Sequence, residues 1–324
     1  LQSLVGTSAR LGLTFYASDN DGGKVQVSVG GGSLSSTINQ INLTRPSTNT
    51  PLGEALWTAA GYFGQIEEFQ GYDAGAVGTY GPRYNGASSY TINNTNDPYN
   101  QGTGGSPRWP ACTKSYVLLI TDGTPCSDGS LPSGIKNYAE TAGSSFNCGS
   151  PLADTECPAA GPFTAQSIPS CGPGNNDAGL EDVALWMHTK DLRNYNTLGG
   201  TANSGAINGT QNLNLYTVFA FGSNSALIKY AAINGGFEDS NGNNLPDLQS
   251  EWDKDGDGIP DNYYEANDGY GIENAVRNAL STMLKRASSG TAASVLASGE
   301  GSGANLIQAV FYPQRRFGND IINW

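Results

Sequence analysis

The chain has 324 residues, and its 29 acidic side chains against 16 basic ones give a formal net charge of -13 at pH 7. This excess of negative charge repels nucleic-acid phosphates and anionic lipid headgroups, so it argues against partners of either kind. No apolar run is long enough to cross a bilayer about 30 Å thick, which predicts no membrane span. With 44 glycines and 37% hydrophobic residues, the composition predicts a modest core connected by long polar loops.

The first part of the chain predicts a hairpin followed by a helix. Residues 9–16 and 24–29 alternate apolar and polar side chains on either side of a glycine-containing turn, as the two strands of a β-hairpin do. Residues 51–66 repeat apolar side chains at helical spacing, with Thr50 as an N-cap and Pro51 at the first helical position.

The rest of the chain alternates strands with helices. Residues 115–121 are a nearly continuous aliphatic run, which is typical of a strand buried on both faces of a parallel sheet. The order of elements predicts an α/β domain with a doubly wound, mostly parallel sheet that binds ligands at the carboxyl ends of its strands. The further predicted elements are helix 180–192, strand 215–221, short helix 225–232, short strand 263–266, helix 271–284 and a strand within 305–312.

Five cysteines lie in one loop-rich stretch among glycine, proline and serine, without the paired CxxC spacing of a zinc site. This pattern favours disulfides and an oxidising, extracellular compartment, with a bridge inside the 126–171 segment. The odd number leaves one thiol free or paired outside the chain, and the spacing leaves the pairing open. The candidates are Cys112, Cys126, Cys148, Cys157 and Cys171.

Two acidic segments repeat at an offset of 14 residues and predict one or two Ca²⁺ sites. Ca²⁺ takes six to eight oxygen ligands, and alternating acidic side chains around a glycine turn supply them. The pattern is similar to the calcium cassettes of thrombospondin type 3 repeats. The second copy offers Asp253, Asp255, Asp257, Asp261, the carbonyl of Ile259 and Glu265, and the first offers Asp239, Asn241, Asn243, Asp247, the carbonyl of Leu245 and Glu251.

The two copies differ in charge and in their last ligand. The first has fewer carboxylates, so weaker binding is expected there. Glu251 and Glu265 each lie twelve residues after the first aspartate of their copy, one position later than the bidentate glutamate of an EF-hand. A true EF-hand is therefore not expected, and the final ligand stays open.

Residues 50–56 (TPLGEAL) and 118–123 (LLITDG) resemble a von Willebrand factor A domain. Family members bind Mg²⁺ through an Asp-x-Ser-x-Ser loop, a threonine on a second loop and an aspartate on a third, and the resemblance gives the last two roles to Thr50 and Asp122. No Asp-x-Ser-x-Ser precedes residue 50, so Mg²⁺ is expected only if an upstream segment completes the site. The family's central first strand is absent as well, either replaced by another segment or, as we expect, omitted.

Together with residues 182–193, 216–222 and 289–295, these motifs resemble the N-terminal region of the PilC/PilY family of type IV pilus tip adhesins over nearly the whole chain. The resemblance implies an extracellular module at the pilus tip that contacts minor pilins and attaches to host or abiotic surfaces. The expected layout is a von Willebrand factor A-like domain over 1–286 with insertions at 70–114, 123–177 and 236–262, and a linker with a strand over 287–324 that leads toward an absent C-terminal β-propeller.

We therefore expect a binding module rather than an enzyme. The alternative from another class is a structural connector that calcium rigidifies without receptor binding. A secreted hydrolase would have to use His188, the only histidine. Its apolar helix neighbours Val183, Leu185 and Trp186 predict a packed side chain rather than a general base, and no serine or cysteine near it carries a nucleophile elbow.

Overall fold

The computed structural model describes most of the chain from Ala9 to Ala287 and four short segments after it. The described residues are 9–16, 22–45, 49–64, 83–84, 97–102, 106, 108–110, 113–123, 125–126, 128–129, 131–132, 134–149, 156–167, 179–193, 207–287, 293–295, 306–308, 314–317 and 320–323.

Within these residues the chain forms short strands and seven helices. The strands are β1 (Leu13–Tyr16), β2 (Gly23–Val27), β3 (Arg83–Tyr84), β4 (Ser115–Thr121), β5 (Glu156–Cys157), β6 (Gln166–Ser167), β7 (Leu213–Ala220), β8 (Tyr263–Ala266), β9 (Ala293–Val295), β10 (Leu306–Gln308), β11 (Gln314–Phe317) and β12 (Asp320–Asn323). The helices are α1 (Leu34–Leu43), α2 (Leu52–Gly64), α3 (Tyr138–Ala142), α4 (Leu180–Thr189), α5 (Ala226–Gly236), α6 (Gln249–Trp252) and α7 (Gly269–Ala287).

A three-stranded parallel sheet in the order β4–β7–β8 forms the centre of the fold. β4 and β7 pair from Ser115 opposite Leu213 to Thr121 opposite Phe219, and β8 pairs with the last four residues of β7. β7 is almost entirely buried because it has a strand on each side. The prediction of a mixed α/β fold with parallel pairing is confirmed.

Helices pack on both faces of this sheet. Phe219 of β7 packs with Ile228 and Ala232 of α5, whereas its neighbour Val218 packs with Ala275 of α7. Successive side chains of a strand point to opposite faces, so these two neighbours contribute to two different layers. The arrangement is compatible with a von Willebrand factor A-like fold.

The predicted hairpin is present, but it belongs to a separate sheet in the order β1–β2–β3. Buried polar groups of α2 hold the hairpin in place. Glu54 Oε2 accepts a hydrogen bond from the backbone N–H of Gly22 (2.9 Å), and Thr58 Oγ1 accepts one from that of Gly23 (3.1 Å). α2 is therefore tied to the hairpin by specific bonds as well as by apolar packing.

Each sheet has two outer strands, β1 and β3 in one and β4 and β8 in the other, and the second edge of each pairs with no strand among the described residues. Burial raises the pKa of Tyr16 at the end of β1, and the nearby carboxylates of Asp128 and Asp122 raise it further. The end of β1 therefore lies close to the loop that follows β4.

Most predicted elements are confirmed with ends shifted by a few residues. Helix 51–66 is observed as α2, strand 115–121 as β4, and helix 271–284 as the longer α7. The strand predicted within 305–312 is represented by β10, which pairs antiparallel with β9.

Three helices, α1, α3 and α6, have no counterpart among the predicted elements, and α1 is the longest of them. Its serine, threonine, asparagine and isoleucine residues have low helix propensity, which hides the helix in the sequence. Ser33 starts it as an N-cap, since its Oγ accepts a hydrogen bond from the N–H of Ser36 (3.1 Å). Thr37 is its only buried residue, so little core packing marks it.

The chain divides into two compact units. Residues 10–279 contain both sheets, and the other unit, made of residues 1–9 and 280–324, contains the antiparallel pairs β9–β10 and β11–β12. The predicted insertions at 70–114 and 123–177 lie partly outside the described residues, whereas the one at 236–262 is described throughout. Among the helices described, none has the length and apolarity needed to cross a membrane.

Candidate metal centre

Two consecutive loops connect α5 to β8 and are separated by α6. We call residues 239–247 loop A and residues 253–261 loop B; together they contain most of the predicted calcium ligands. β8 begins at Tyr263, directly after loop B, so the conformation of this loop fixes where the last strand enters the parallel sheet.

Asp253 organises loop B. Its Oδ1 accepts hydrogen bonds from the backbone N–H groups of Gly256 (2.8 Å) and Asp257 (3.1 Å), and its Oδ2 accepts one from Gly258 (2.8 Å). The two glycines have φ values of 76° and 82°, a region that favours glycine. Gln249 Nε2 adds a fourth hydrogen bond to Oδ2 (2.7 Å). Asp253 is 2% exposed, and its carboxylate is the common acceptor that fixes the turn of the loop.

Loop A repeats this geometry fourteen residues earlier. Asp239 Oδ1 accepts from the N–H groups of Gly242 (2.7 Å) and Asn243 (3.2 Å), and its Oδ2 accepts from Asn244 (2.9 Å). Positive φ values recur at Gly242 (80°) and Asn244 (62°), the positions equivalent to the two glycines of loop B. The sequence repeat is therefore also a structural repeat.

Hydrogen bonding also sets the ionisation of the two first aspartates. Burial by itself raises the pKa of Asp253, but hydrogen bonds from Gln249, Gly258 and Gly256 outweigh it and hold the pKa below its usual range. In the same way, bonds from the backbone of residues 241–244 outweigh burial and lower the pKa of Asp239. Both carboxylates are ionised at neutral pH, the state that binds cations.

Three carboxylates of loop B converge. One oxygen each from Asp253, Asp255 and Asp261 lies within 4.8 Å of the others, a spacing at which one metal ion can contact all three. Asp253 is buried, Asp261 half-buried and Asp255 exposed, so the group opens to solvent on one side. Three like charges at this spacing repel one another, and a cation offsets that repulsion.

Loop A is arranged differently around its last aspartate. Asn241 Nδ2 donates to Asp247 Oδ1 (2.9 Å), and Asn243 Nδ2 donates to Asp247 Oδ2 (2.9 Å). Two amides thus stand opposite the carboxylate where loop B has further carboxylates. Loop A therefore carries less charge to be balanced by an ion.

The other predicted ligands lie outside the group of three. Asp257 Oδ1 accepts from the N–H of Ile259 (2.8 Å), the bond that Asn243 Oδ1 makes with Leu245 (2.8 Å) in loop A. Glu265 is engaged elsewhere, because its Oε1 accepts from the N–H of Asn224 (2.6 Å) and the hydroxyl of Tyr263 (2.6 Å).

Glu251 holds the start of loop A to α6. Its Oε1 accepts from the N–H (2.8 Å) and the hydroxyl (2.9 Å) of Ser240, and its backbone carbonyl accepts from the N–H of Glu238 (2.8 Å). The side chain is 1% exposed. Glu251 therefore fixes the start of loop A from within α6.

The predicted magnesium-site residues lie on neighbouring loops. Thr50 precedes α2, Asp122 follows β4 and is exposed, and the N–H of Cys126 donates to the carbonyl of Thr50 (2.9 Å).

Asp128, which the sequence analysis did not single out, caps the start of α2. It is fully buried and accepts hydrogen bonds from the N–H groups of Gly53 (2.6 Å) and Glu54 (2.8 Å). No local sequence pattern could have predicted this contact, because 75 residues separate Asp128 from Gly53.

The predicted bridge within the 126–171 segment is confirmed. Cys148 and Cys157 form a disulfide with both side chains buried. Cys126 is disulfide-bonded as well. Cys112 and Cys171 lie outside the described residues.

His188 is a packed side chain. It is 9% exposed, and its ring lies against that of Phe237 at 4.6 Å between centroids. This agrees with the packing that its apolar neighbours predict.

The chain was also compared with known proteins. No family model, no curated protein and no solved structure matches it.

Proposed function

We propose that the chain is a calcium-binding adhesion module of a type IV pilus tip, with loop B as its calcium site. The observation that carries the calcium assignment is the convergence of Asp253, Asp255 and Asp261 in a loop whose winding is repeated in loop A. All the candidate ligands are oxygen atoms, the ligand type that Ca²⁺ prefers over softer metals. The flexible loop and its open side favour Ca²⁺ over Mg²⁺, which demands near-ideal octahedral geometry.

The adhesion assignment rests on the resemblance to pilus tip adhesins and on the α/β architecture that accompanies it. In this proposal the module is extracellular, contacts minor pilins on one side and attaches to a host or abiotic surface on the other. A β-propeller would follow it in the longer protein. The disulfide of Cys148 and Cys157 supports an oxidising compartment.

A second candidate is a connector without receptor binding. It is favoured by the position of both loops in the segment that connects α5 to β8. A cation in loop B would then stiffen the entry to the last strand. The two candidates differ in the behaviour of a loop B variant that binds no calcium. If this variant forms normal pili but no longer attaches to surfaces, adhesion is supported. If it still attaches, the connector is supported.

Asp255→Asn is the sharpest test of the calcium site. Asp253 holds the loop together through four hydrogen bonds, whereas Asp255 is exposed and accepts one from the N–H of Asp257 (3.3 Å). The substitution thus removes a ligand charge with little effect on the loop. Glu140→Gln, which removes an exposed charge from α3, is the matched control.

We expect calcium at a hundredfold excess over Kd to stabilise the wild-type chain by about 2.7 kcal/mol. Asp255→Asn should weaken binding at least about tenfold, which lowers that stabilisation by about 1.3 kcal/mol or more at the same calcium concentration. Isothermal titration and thermal unfolding with and without chelator measure both quantities. A wild-type chain that melts identically in calcium and in chelator contradicts the assignment.

A further inference from the structure

Trp252, the residue before Asp253, links loop B to the disulfide-bridged part of the chain. It is 5% exposed, and its ring meets the edge of Phe146 at 5.5 Å and lies 6.0 Å from Phe163. Both phenyl rings also contact Tyr230 of α5, at 5.7 Å and 6.1 Å. We call Phe146, Phe163 and Tyr230 the aromatic socket of Trp252.

The backbone of Trp252 is connected to two of the three converging aspartates. Asp253 is the next residue in the chain, and the carbonyl of Trp252 accepts a hydrogen bond from the N–H of Asp261 (2.9 Å). Gln249, one helical turn earlier, bonds Asp253 through both its carbonyl (2.8 Å) and its side chain (2.7 Å). One peptide unit therefore anchors the backbones of Asp253 and Asp261, so a shift of Trp252 in its socket displaces both aspartates.

The disulfide controls the walls of the socket. Phe146 lies two residues before Cys148, and Phe163 lies six residues after Cys157, so the bridge joins the two segments that carry these rings. Both cysteines are buried, and the N–H of Cys148 donates to Glu181 Oε1 (3.0 Å), which ties the bridge to α4. The bridge shortens the covalent path between the two phenyl rings, which also contact each other at 6.5 Å between centroids.

We propose that Trp252 is a positioning residue of loop B and that the Cys148–Cys157 disulfide raises the cation affinity of the loop by holding the aromatic socket closed. This inference rests on the proposed function of loop B as a calcium site. Three mutually repelling carboxylates need external support to stay within reach of one ion, and Trp252 supplies it from the core. Coupling between two sites is reciprocal, so bound calcium protects the disulfide by the same factor.

The test is a calcium titration of the chain and its variants, with Kd as the readout. The variants are Cys148→Ser with Cys157→Ser, Trp252→Leu, Trp252→Phe, and the combination of Trp252→Leu with both serine substitutions. Trp57→Leu is the matched control, because Trp57 is equally buried but packs against Trp186 at 4.9 Å and has no contact with the loops among its described partners.

We expect removal of the disulfide to raise Kd about 5- to 20-fold, within the usual range of coupling between sites. Trp252→Leu should raise Kd as much, Trp252→Phe should restore it to within about threefold, and the combination should add little, because both changes act through one socket. Trp57→Leu should lower the melting temperature in chelator and leave Kd unchanged.

The outcomes separate this inference from the proposed function. A wild-type chain that binds no calcium overturns the calcium site itself. Wild-type binding with an unchanged Kd in Trp252→Leu overturns the positioning role, whatever the serine variant does. If the serine variant does not fold, the difference between Trp252→Leu and Trp252→Phe decides, since a general loss of stability would affect Kd in Trp57→Leu as well.

Discussion

Glu181 is a buried carboxylate whose ionisation should make the protein more stable in mild acid than at neutral pH. It lies in the first turn of α4 and is 1% exposed. Its Oε1 accepts from the N–H of Cys148, while Oε2 has no hydrogen-bond partner in the described part of the chain. Burial raises the pKa of Glu181 to about 7, and the hydrogen bonds from backbone N–H groups only partly offset this.

The free energy of unfolding falls with rising pH because the folded chain holds the proton of Glu181 more tightly than the unfolded chain does. Between the ordinary value of 4.5 and the raised value of about 7, the folded chain keeps the proton that the unfolded chain has lost. Stability from this group is therefore fully present below about pH 4.5 and is lost as pH rises through about 7. At about 1.4 kcal/mol per pKa unit, the ionised carboxylate destabilises the folded state by about 3 kcal/mol at most.

Glu181→Gln removes this pH dependence because its amide resembles the protonated acid. Urea unfolding in chelator should show the variant more stable than wild type by about 1–3 kcal/mol at pH 8, and the two chains converging near pH 4. Glu140→Gln, on the exposed side of α3, should follow the wild-type profile. A variant that is less stable than wild type at pH 8, or parallel profiles from pH 4 to 8, would refute the reasoning.

Two further predictions concern buried carboxylates with partners. Asp128→Ala should lower the free energy of unfolding by about 1–3 kcal/mol, because it removes both acceptors at the start of α2, whereas Ser33→Ala at the exposed start of α1 should cost about 1 kcal/mol or less. Arg193 donates to both oxygens of Asp97 (2.8 and 3.0 Å) in a buried pair. Arg193→Leu should cost about 3–5 kcal/mol by leaving Asp97 uncompensated, and Arg277→Leu in the exposed pair with Glu273 less than about 1 kcal/mol. Urea unfolding measures these losses of stability. Equal losses for Asp128→Ala and Ser33→Ala, or for Arg193→Leu and Arg277→Leu, would contradict the corresponding prediction.

Local patterns predicted much of this structure. The aliphatic run at 115–121 marks β4, but burial on both faces was wrong for this strand, because β4 is an outer strand whose middle residues are partly buried and whose Ile120 is exposed. The conformation of the two acidic loops follows from local sequence, since the alternating acids and glycines of loop B act within nine residues. Loop A needed only the comparison at an offset of 14 residues to be recognised.

Contacts between distant segments were not predictable in this way. Asp128 reaches α2 across 75 residues, and no spacing rule connects an aspartate in one loop to a helix so far away. Trp252 looks like an ordinary aromatic residue in sequence, and its ring contacts come from residues 146 and 163, which are about 90 to 106 positions away. Glu265 was assigned to loop B by its distance from Asp253, but its place in β8 directs it to Asn224 and Tyr263.

The outer edge of β4 has a mechanical consequence. This edge pairs with no strand among the described residues. A strand added along this edge would pair with β4 and extend the parallel sheet or give it an antiparallel neighbour. Tension applied along the added strand would load its ladder bonds in shear, so that they would have to break together rather than one after another. Resistance to extension would then depend on whether this edge is paired.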